Sequence, residues 1–215
     1  MEEAAVLKEI AGPVKGIQPS FTPYHVFKVL WALSEEKALG RPTLTKIVGL
    51  REASMKTLLR RLQAGGYVTS RKPEGTTLTA KGKGLVRRLL EHFHVVEHLT
   101  ATDICGECTA AAVLSDGDVT ARLKGFGVVR LRDEVVRHGA LGAIFVVQMG
   151  GDLLLPTPEG YTPFTGFAMD AELRSMDVLR EGESALIALC NINDGGACAS
   201  YSFNAIINLL GGKDC

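Results

Sequence analysis

The chain has 215 residues, room for one large or two small domains, and its 46% hydrophobic and 22% charged content suits a soluble globular protein. No apolar run nears the roughly 20 residues that cross a bilayer, and the acidic start "MEEAAVLKEIAG" lacks a signal peptide's plan, so no membrane partner and a cytoplasmic location are expected. The formal net charge of zero hides a polarity: Arg41 to His94 holds twelve Lys/Arg against Glu52, Glu74 and Glu91, a net +9 that leaves −9 elsewhere, the footprint of a polyanion-binding module beside an acidic domain, with a solvated basic face as the alternative.

In chain order, "SFTPYHVFKVLWALSEEKALG" opens the first clear helix. Thr22 caps it, Pro23 takes the first helical position, and Phe21 staples on Val26. Val26, Val29, Leu30 and Leu33 recur at helical spacing, and Gly40 is a stop. Thr43 is placed to cap a short second helix through Leu44, Ile47 and Val48, with a tight corner at Gly49 and Leu50. A third helix, "REASMKTLLRRLQAGG", buries Met55, Leu58, Leu59 and Leu62 and leaves Ser54, Lys56, Thr57, Arg60 and Arg61 outside. "YVTSR" and "TTLTA" are β-branched and flank the turn "KPEG", a hairpin directly after the third helix with Arg71 and Lys72 at its tip.

Helix, short helix, tight turn, helix with a basic outer face, then a hairpin is the order of a winged helix-turn-helix. The outer face of the third helix fits a major groove, and the hairpin tip reaches a phosphate or the minor groove. "LLRRLQAGGYVTSR" followed by "EGTTLTAKGKGL" resembles the MarR- and PadR-type winged-helix repressors, whose wing leads into an "LTxxG" helix start; Leu78, Thr79 and Gly82 occupy that pattern. The resemblance covers roughly residues 22 to 95 and implies a DNA-binding regulator. The two-part layout also resembles an uncharacterised archaeal family that joins a winged helix to a C-terminal domain of unknown function.

After the wing, "GLVRRLLEHFHVVEHLT" predicts one helix from Lys81 to Leu99, with Val86, Leu89, Phe93 and Val96 forming a stripe suited to a homodimer seam; packing within the chain is the alternative. On such a helix His94 and His98 lie one turn apart, where with Glu91 or Glu97 they could hold a metal, although exposed polar positions explain them more simply.

The second half mixes strands and helices. "TAAAVL" and "SALIALCNI" read as buried strands, and "AIFVVQ" and "DLLLP" as a hairpin about "MGG". "VVRLRDEVVRHG", "DAELRSMDVLREG" (capped by Asp170) and "ACASYSFNAIINLL" read as helices. The fold class is therefore α+β: a winged helix-turn-helix domain over 1–100 and a mixed α/β sandwich over 101–215. "NDGG", with Asp194, Gly195 and Gly196, precedes a helix and is a candidate anion loop, as is "KGFG"; plain turns are the alternative. Asp152 and Asp194 are candidate ligand anchors. Cys105 and Cys108 form a Cys-x-x-Cys pair suited to metal or redox chemistry, yet five cysteines with no second knuckle suit mostly free thiols.

No catalytic motif and no cofactor signature stand out. The expectation is a transcriptional regulator that binds double-stranded DNA and an unknown small-molecule effector. Two alternatives stay open. One is an enzyme carrying an N-terminal winged helix, an arrangement that archaeal CTP-dependent riboflavin kinases resemble; the other is a protein-interaction adaptor.

Overall fold

The computed structural model describes residues 1–36 and 38–212. It divides into two compact units, Met1–Glu91 with the stretch from Ile207, and His92–Ile206. Both combine helix and antiparallel sheet, which makes the chain α+β.

The first unit begins with α1 (Glu2–Ala11), whose Ala4, Leu7, Ile10 and Ala11 are buried. α2 (Pro23–Glu35) starts at Thr22, as its Thr-Pro opening demands, and Phe21 and Val26 are both buried at that start. His25 completes the cap: its Nδ1 accepts the Thr22 backbone N–H at 3.1 Å and lies 2.9 Å from the Thr22 hydroxyl. α3 (Arg41–Val48) takes Gly40, not Thr43, as its N-cap, since Pro42 in its first turn lets the helix start three residues earlier than expected. Gly49 then turns the chain with a left-handed φ of 76°, which any Cβ would resist. α4 (Glu52–Ala64) follows, with Met55, Leu58, Leu59 and Leu62 buried. The hairpin is β1 (Val68–Arg71) against β2 (Gly75–Leu78), and Leu39 extends it by a bridge to Thr76.

α5 (Ala80–His92) shows why a wing of this kind ends in Leu-Thr-x-x-Gly. Thr79 donates its hydroxyl to Gly66 O at 2.7 Å, and the N–H of Gly82 donates back to Thr79 Oγ1 at 3.1 Å. A Cβ on Gly82 would strike the Tyr67 carbonyl oxygen, so only glycine lets α5 lie this close to the wing. Glu3 of α1, almost wholly buried, accepts from Arg88 of α5 at 2.6 Å.

The helix expected to run to Leu99 stops at His92, and Phe93–Leu99 is a strand, β3, which opens the second unit. The run "FHVVEHL" buries Phe93, Val95, Val96 and Leu99 and pairs with β4 from Phe93 to Leu99, with a register shift after Val96, so strand pairing overrides the helical spacing seen in sequence. The expected dimer stripe is thereby corrected. Phe93 and Val96 are buried, and the Phe93 ring meets Phe203 edge to face at 5.5 Å inside the unit. His94 and His98 are exposed on this strand, where four residues span roughly 13 Å and not one helical turn.

The rest of the second unit comprises α6 (Thr102–Cys105), β4 (Thr109–Ser115), α7 (Gly117–Phe126), α8 (Val128–Arg137), β5 (Gly142–Met149), β6 (Asp152–Thr157), β7 (Gly160–Pro163), α9 (Ala168–Ser175), β8 (Ser184–Cys190) and α10 (Gly195–Leu210), whose last turn from Ile207 belongs to the first unit. Six strands form one sheet in the order β3-β4-β8-β5-β6-β7, and every neighbouring pair is antiparallel. The mixed sandwich expected from sequence is thus an antiparallel sheet, with β8 inserted between β4 and β5. Both central strands are covered on both faces, the physical reason "TAAAVL" and "SALIALC" read as unbroken apolar runs. Met169 and Leu173 of α9 pack on one face with Ala112, Leu114, Val146 and Ile187. Asp170 lies within α9 and holds Arg174 at 2.7 Å; Phe167 is the N-cap.

Four cysteines correct the expectation of mostly free thiols. Cys105–Cys108 and Cys190–Cys198 are disulfide pairs, with Cα atoms 5.6 and 5.9 Å apart. The fifth, Cys215, lies outside the described residues.

Candidate nucleic-acid interface

The outward side of the α3–Gly49–α4 corner is built from the side chains that α4 does not bury. Lys56 and Arg60 are exposed on it. Thr57, half-buried, returns its hydroxyl to Ala53 O at 3.1 Å, and Ser54 sits 2.6 Å from the Ser20 hydroxyl. Arg71 and Lys72 are exposed at the tip of the β1–β2 turn. Sequence reasoning passes over two further cations of the same corner. Arg51 is the N-cap of α4, and Lys46 lies in the last turn of α3; both are exposed. The signal is present, since base contacts of a helix-turn-helix come from the N-terminal end of its second helix. Within the described residues no hydrogen bond or ion pair engages the side chains of Lys46, Arg51, Lys56, Arg60, Arg71 or Lys72, while Arg41 is neutralised by Glu52 at 2.7 Å.

Arg61 departs from the expected outer face. Its guanidinium donates to Ile10 O at 2.7 Å and to Gly12 O at 2.6 Å, and it lies 5.1 Å over the Phe21 ring. It fastens the end of α1 to α4 and has little left for a ligand. Lys81 is likewise spent within the fold, donating to Gly65 O at 2.8 Å above the Tyr67 ring.

The second-unit candidates do not converge. Asp194 accepts the Ala197 N–H at 3.0 Å, so a carboxylate of the chain itself occupies the helix start where an anion was expected. Gly195 has a different duty: a Cβ there would strike the Glu97 carbonyl oxygen of β3. Gly196 follows it in the first turn of α10. Asp152 lies by the β5–β6 turn, 3.3 Å from Arg174. Because Val147 pairs with Ser184 while Gly142 pairs with Leu189, Asp152 and the loop after Cys190 stand at opposite ends of the sheet. "KGFG" closes α7 and opens α8, with Gly127 at a φ of 81°. Among the described residues no three His, Cys, Asp or Glu side chains come together as a metal-binding group. No helix among them is long and apolar enough to cross a membrane.

No protein-family model and no curated protein matches the sequence. Among solved structures, a hypothetical protein from Pyrococcus horikoshii OT3 is similar over 88% of this chain and 93% of its own, with a TM-score of 0.63 and 22% identity. The two share a fold, and the likeness extends across both parts of the layout. A MarR family protein of Mycobacterium tuberculosis in complex with DNA aligns with 42% of this chain and 63% of its own, at 27% identity and a TM-score of 0.30. That superposition is too loose to bear on the activity of this chain.

Proposed function

We propose that the chain is a transcriptional regulator that binds double-stranded DNA through α3, α4 and the β1–β2 wing. One observation carries the reading: six cations free of partners among the described residues, Lys46, Arg51, Lys56, Arg60, Arg71 and Lys72, occupy the parts of a winged helix that face a duplex. α4 offers its N-terminal half to base edges, and the wing offers phosphate contacts. In this reading the second unit takes a small effector. A concavity of about 500 Å³ at the α7–α8 corner, lined by Phe126, Val129, Arg130, Asp133 and Arg137, has the size for one.

The regulator is read as a homodimer, with its seam moved from the corrected helix to the outer face of α5. There exposed Leu90 joins Leu33, Leu78 and Val86 along a groove of about 820 Å³, rimmed by Glu35, Glu36, Lys83 and Arg87. Light scattering of the full chain reads this directly.

Fluorescence anisotropy on duplex DNA over a salt series tests the DNA reading. Lys56→Ala with Arg60→Ala is expected to weaken binding by about 1–3 kcal/mol for each base edge left without its partner. Arg71→Ala with Lys72→Ala is expected to lower the salt slope by about 2 while leaving sequence preference in place. Salt-independent or absent binding by the unaltered chain would remove the reading.

A further inference from the structure

We propose that the tight turn Val14–Ile17 is a second DNA-contacting element beside α4, one that sets Lys15 against a phosphate and the apolar pair Val14 and Ile17 against the groove edge. The inference rests on the DNA-binding reading above.

The turn is rigidly carried by α4. Arg61 holds its upstream side through Ile10 O and Gly12 O, and Ser20 meets Ser54 on its downstream side. Positions 54 and 61 are seven apart, two turns and roughly 10 Å along the helix, and so share one side of it, at the border between its buried and outward faces. Arg60 is exposed on the outward face adjoining that side, whereas Lys56 lies on the far side of that face. Between the two fastenings the chain forms a two-residue hairpin. Val14 N donates to Ile17 O at 3.1 Å, and Ile17 N donates to Val14 O at 3.0 Å. Pro13 and Pro19 restrict the backbone on either side.

What the turn displays is costly for a surface loop. Lys15 has a φ of 51°, one of two non-glycine residues with positive φ among those described, where Asn or Gly would sit at lower cost. Ile17 is 74% exposed, more than any other large apolar side chain described, and Val14 is 54% exposed. Strain and exposed apolar surface in one fastened turn mark a contact element.

Charge selects DNA as what it contacts. From Gly12 to Phe21 the only charged side chain is Lys15, and Arg60 adds an exposed cation on the adjoining face of α4. A polyanion with an apolar groove lining satisfies both halves of the turn. Phosphate takes the ammonium, and sugar edges or thymine methyls take Val14 and Ile17.

The experiment uses the full chain and a random-sequence duplex of about 30 base pairs, several times the reach of one winged helix, read by anisotropy over a salt series. Lys15→Ala is expected to reduce the salt slope by about 1. Val14→Ser with Ile17→Ser is expected to weaken binding about tenfold at an unchanged slope. These positions are exposed, so melting temperatures should match the unaltered protein. If Arg60→Ala weakens binding while both turn variants bind as the unaltered chain does, the turn assignment is overturned and the DNA reading stands. If the unaltered chain binds no duplex, both fall. Full DNA affinity in the Val14→Ser, Ile17→Ser protein, together with a drop in particle mass by light scattering, would make the turn a contact between copies and also overturn the assignment.

Discussion

Arg60 and Arg61 are consecutive and chemically identical, but one step of about 100° around α4 separates solvent from the Phe21 ring and the α1 carbonyls. Arg61→Ala would strip two buried-side carbonyls of a charged donor, and a loss of about 1–3 kcal/mol in urea unfolding is expected. Arg60→Ala should leave that transition in place and act on DNA affinity alone. His25 supplies a pH test at the same scale. Burial, and after it the nearby Lys28 charge, hold its pKa below the ordinary histidine value, and its Nδ1 must stay unprotonated to accept from Thr22. A folded pKa depressed below the unfolded one means that the unfolded chain binds more protons between the two values. Stability is therefore complete above about pH 6.5 and falls as the pH drops below it. His25→Gln keeps an acceptor at the third helical position, so its unfolding midpoint should lose this share of the acid dependence; an unchanged acid slope would refute the cap role.

At the scale of elements, close backbone approach explains Gly82 of α5 and Gly195 of α10, which turn chemistry alone does not. α5 carries Gly82 against the Tyr67 carbonyl and Gly84 with only the Arg88 guanidinium nearby, 3.7 Å from where a Cβ would sit. Gly82→Ala should therefore destabilise by about 1–3 kcal/mol. Gly84→Ala, in a half-exposed helical site, should stabilise by roughly 0.5–1 kcal/mol. Thermal melts of the two variants moving in the same direction would contradict the packing described. The strand β3 teaches a related lesson. Its alternate side chains Phe93 and Val95 are buried, while His94 and His98 face solvent. "FHVVEHLT" continues a helical spacing from α5 well enough to mislead, and pairing with β4 decides the matter by satisfying its backbone groups.

For the molecule as a whole, the sheet order makes β3 an edge of the second unit, closed over by α10 through the Phe93–Phe203 contact. Phe93→Asp would bury an unpaired carboxylate there. It should cost about 4 kcal/mol or more and unfold the second unit, a result seen as loss of β-sheet signal in circular dichroism; a folded monomer would instead revive a surface seam. The charge polarity also acts at this scale. The positive stretch from Arg41 to His94 falls almost entirely within the first unit, so DNA binding by a chain of zero net charge is expected to depend steeply on salt.

The sequence by itself determined the winged helix: Thr22-Pro23, the Gly49 corner, the four buried positions of α4 and the Lys-Pro-Glu-Gly turn are local signals, each read within a few residues. It also determined the strands β4, β5, β6 and β8, since strands covered on both faces or joined by Gly-Gly declare themselves in composition. Only the tertiary structure decided the rest. Arg61 reads as a DNA contact in sequence because nothing within helical reach shows that Ile10 of α1, 51 positions earlier in the chain, returns to it. The insertion of β8 between β4 and β5 and the separation of Asp152 from Asp194 both depend on strand order. Strand order is a long-range choice, made by which apolar faces cover one another, and periodicity along a single segment carries no trace of it.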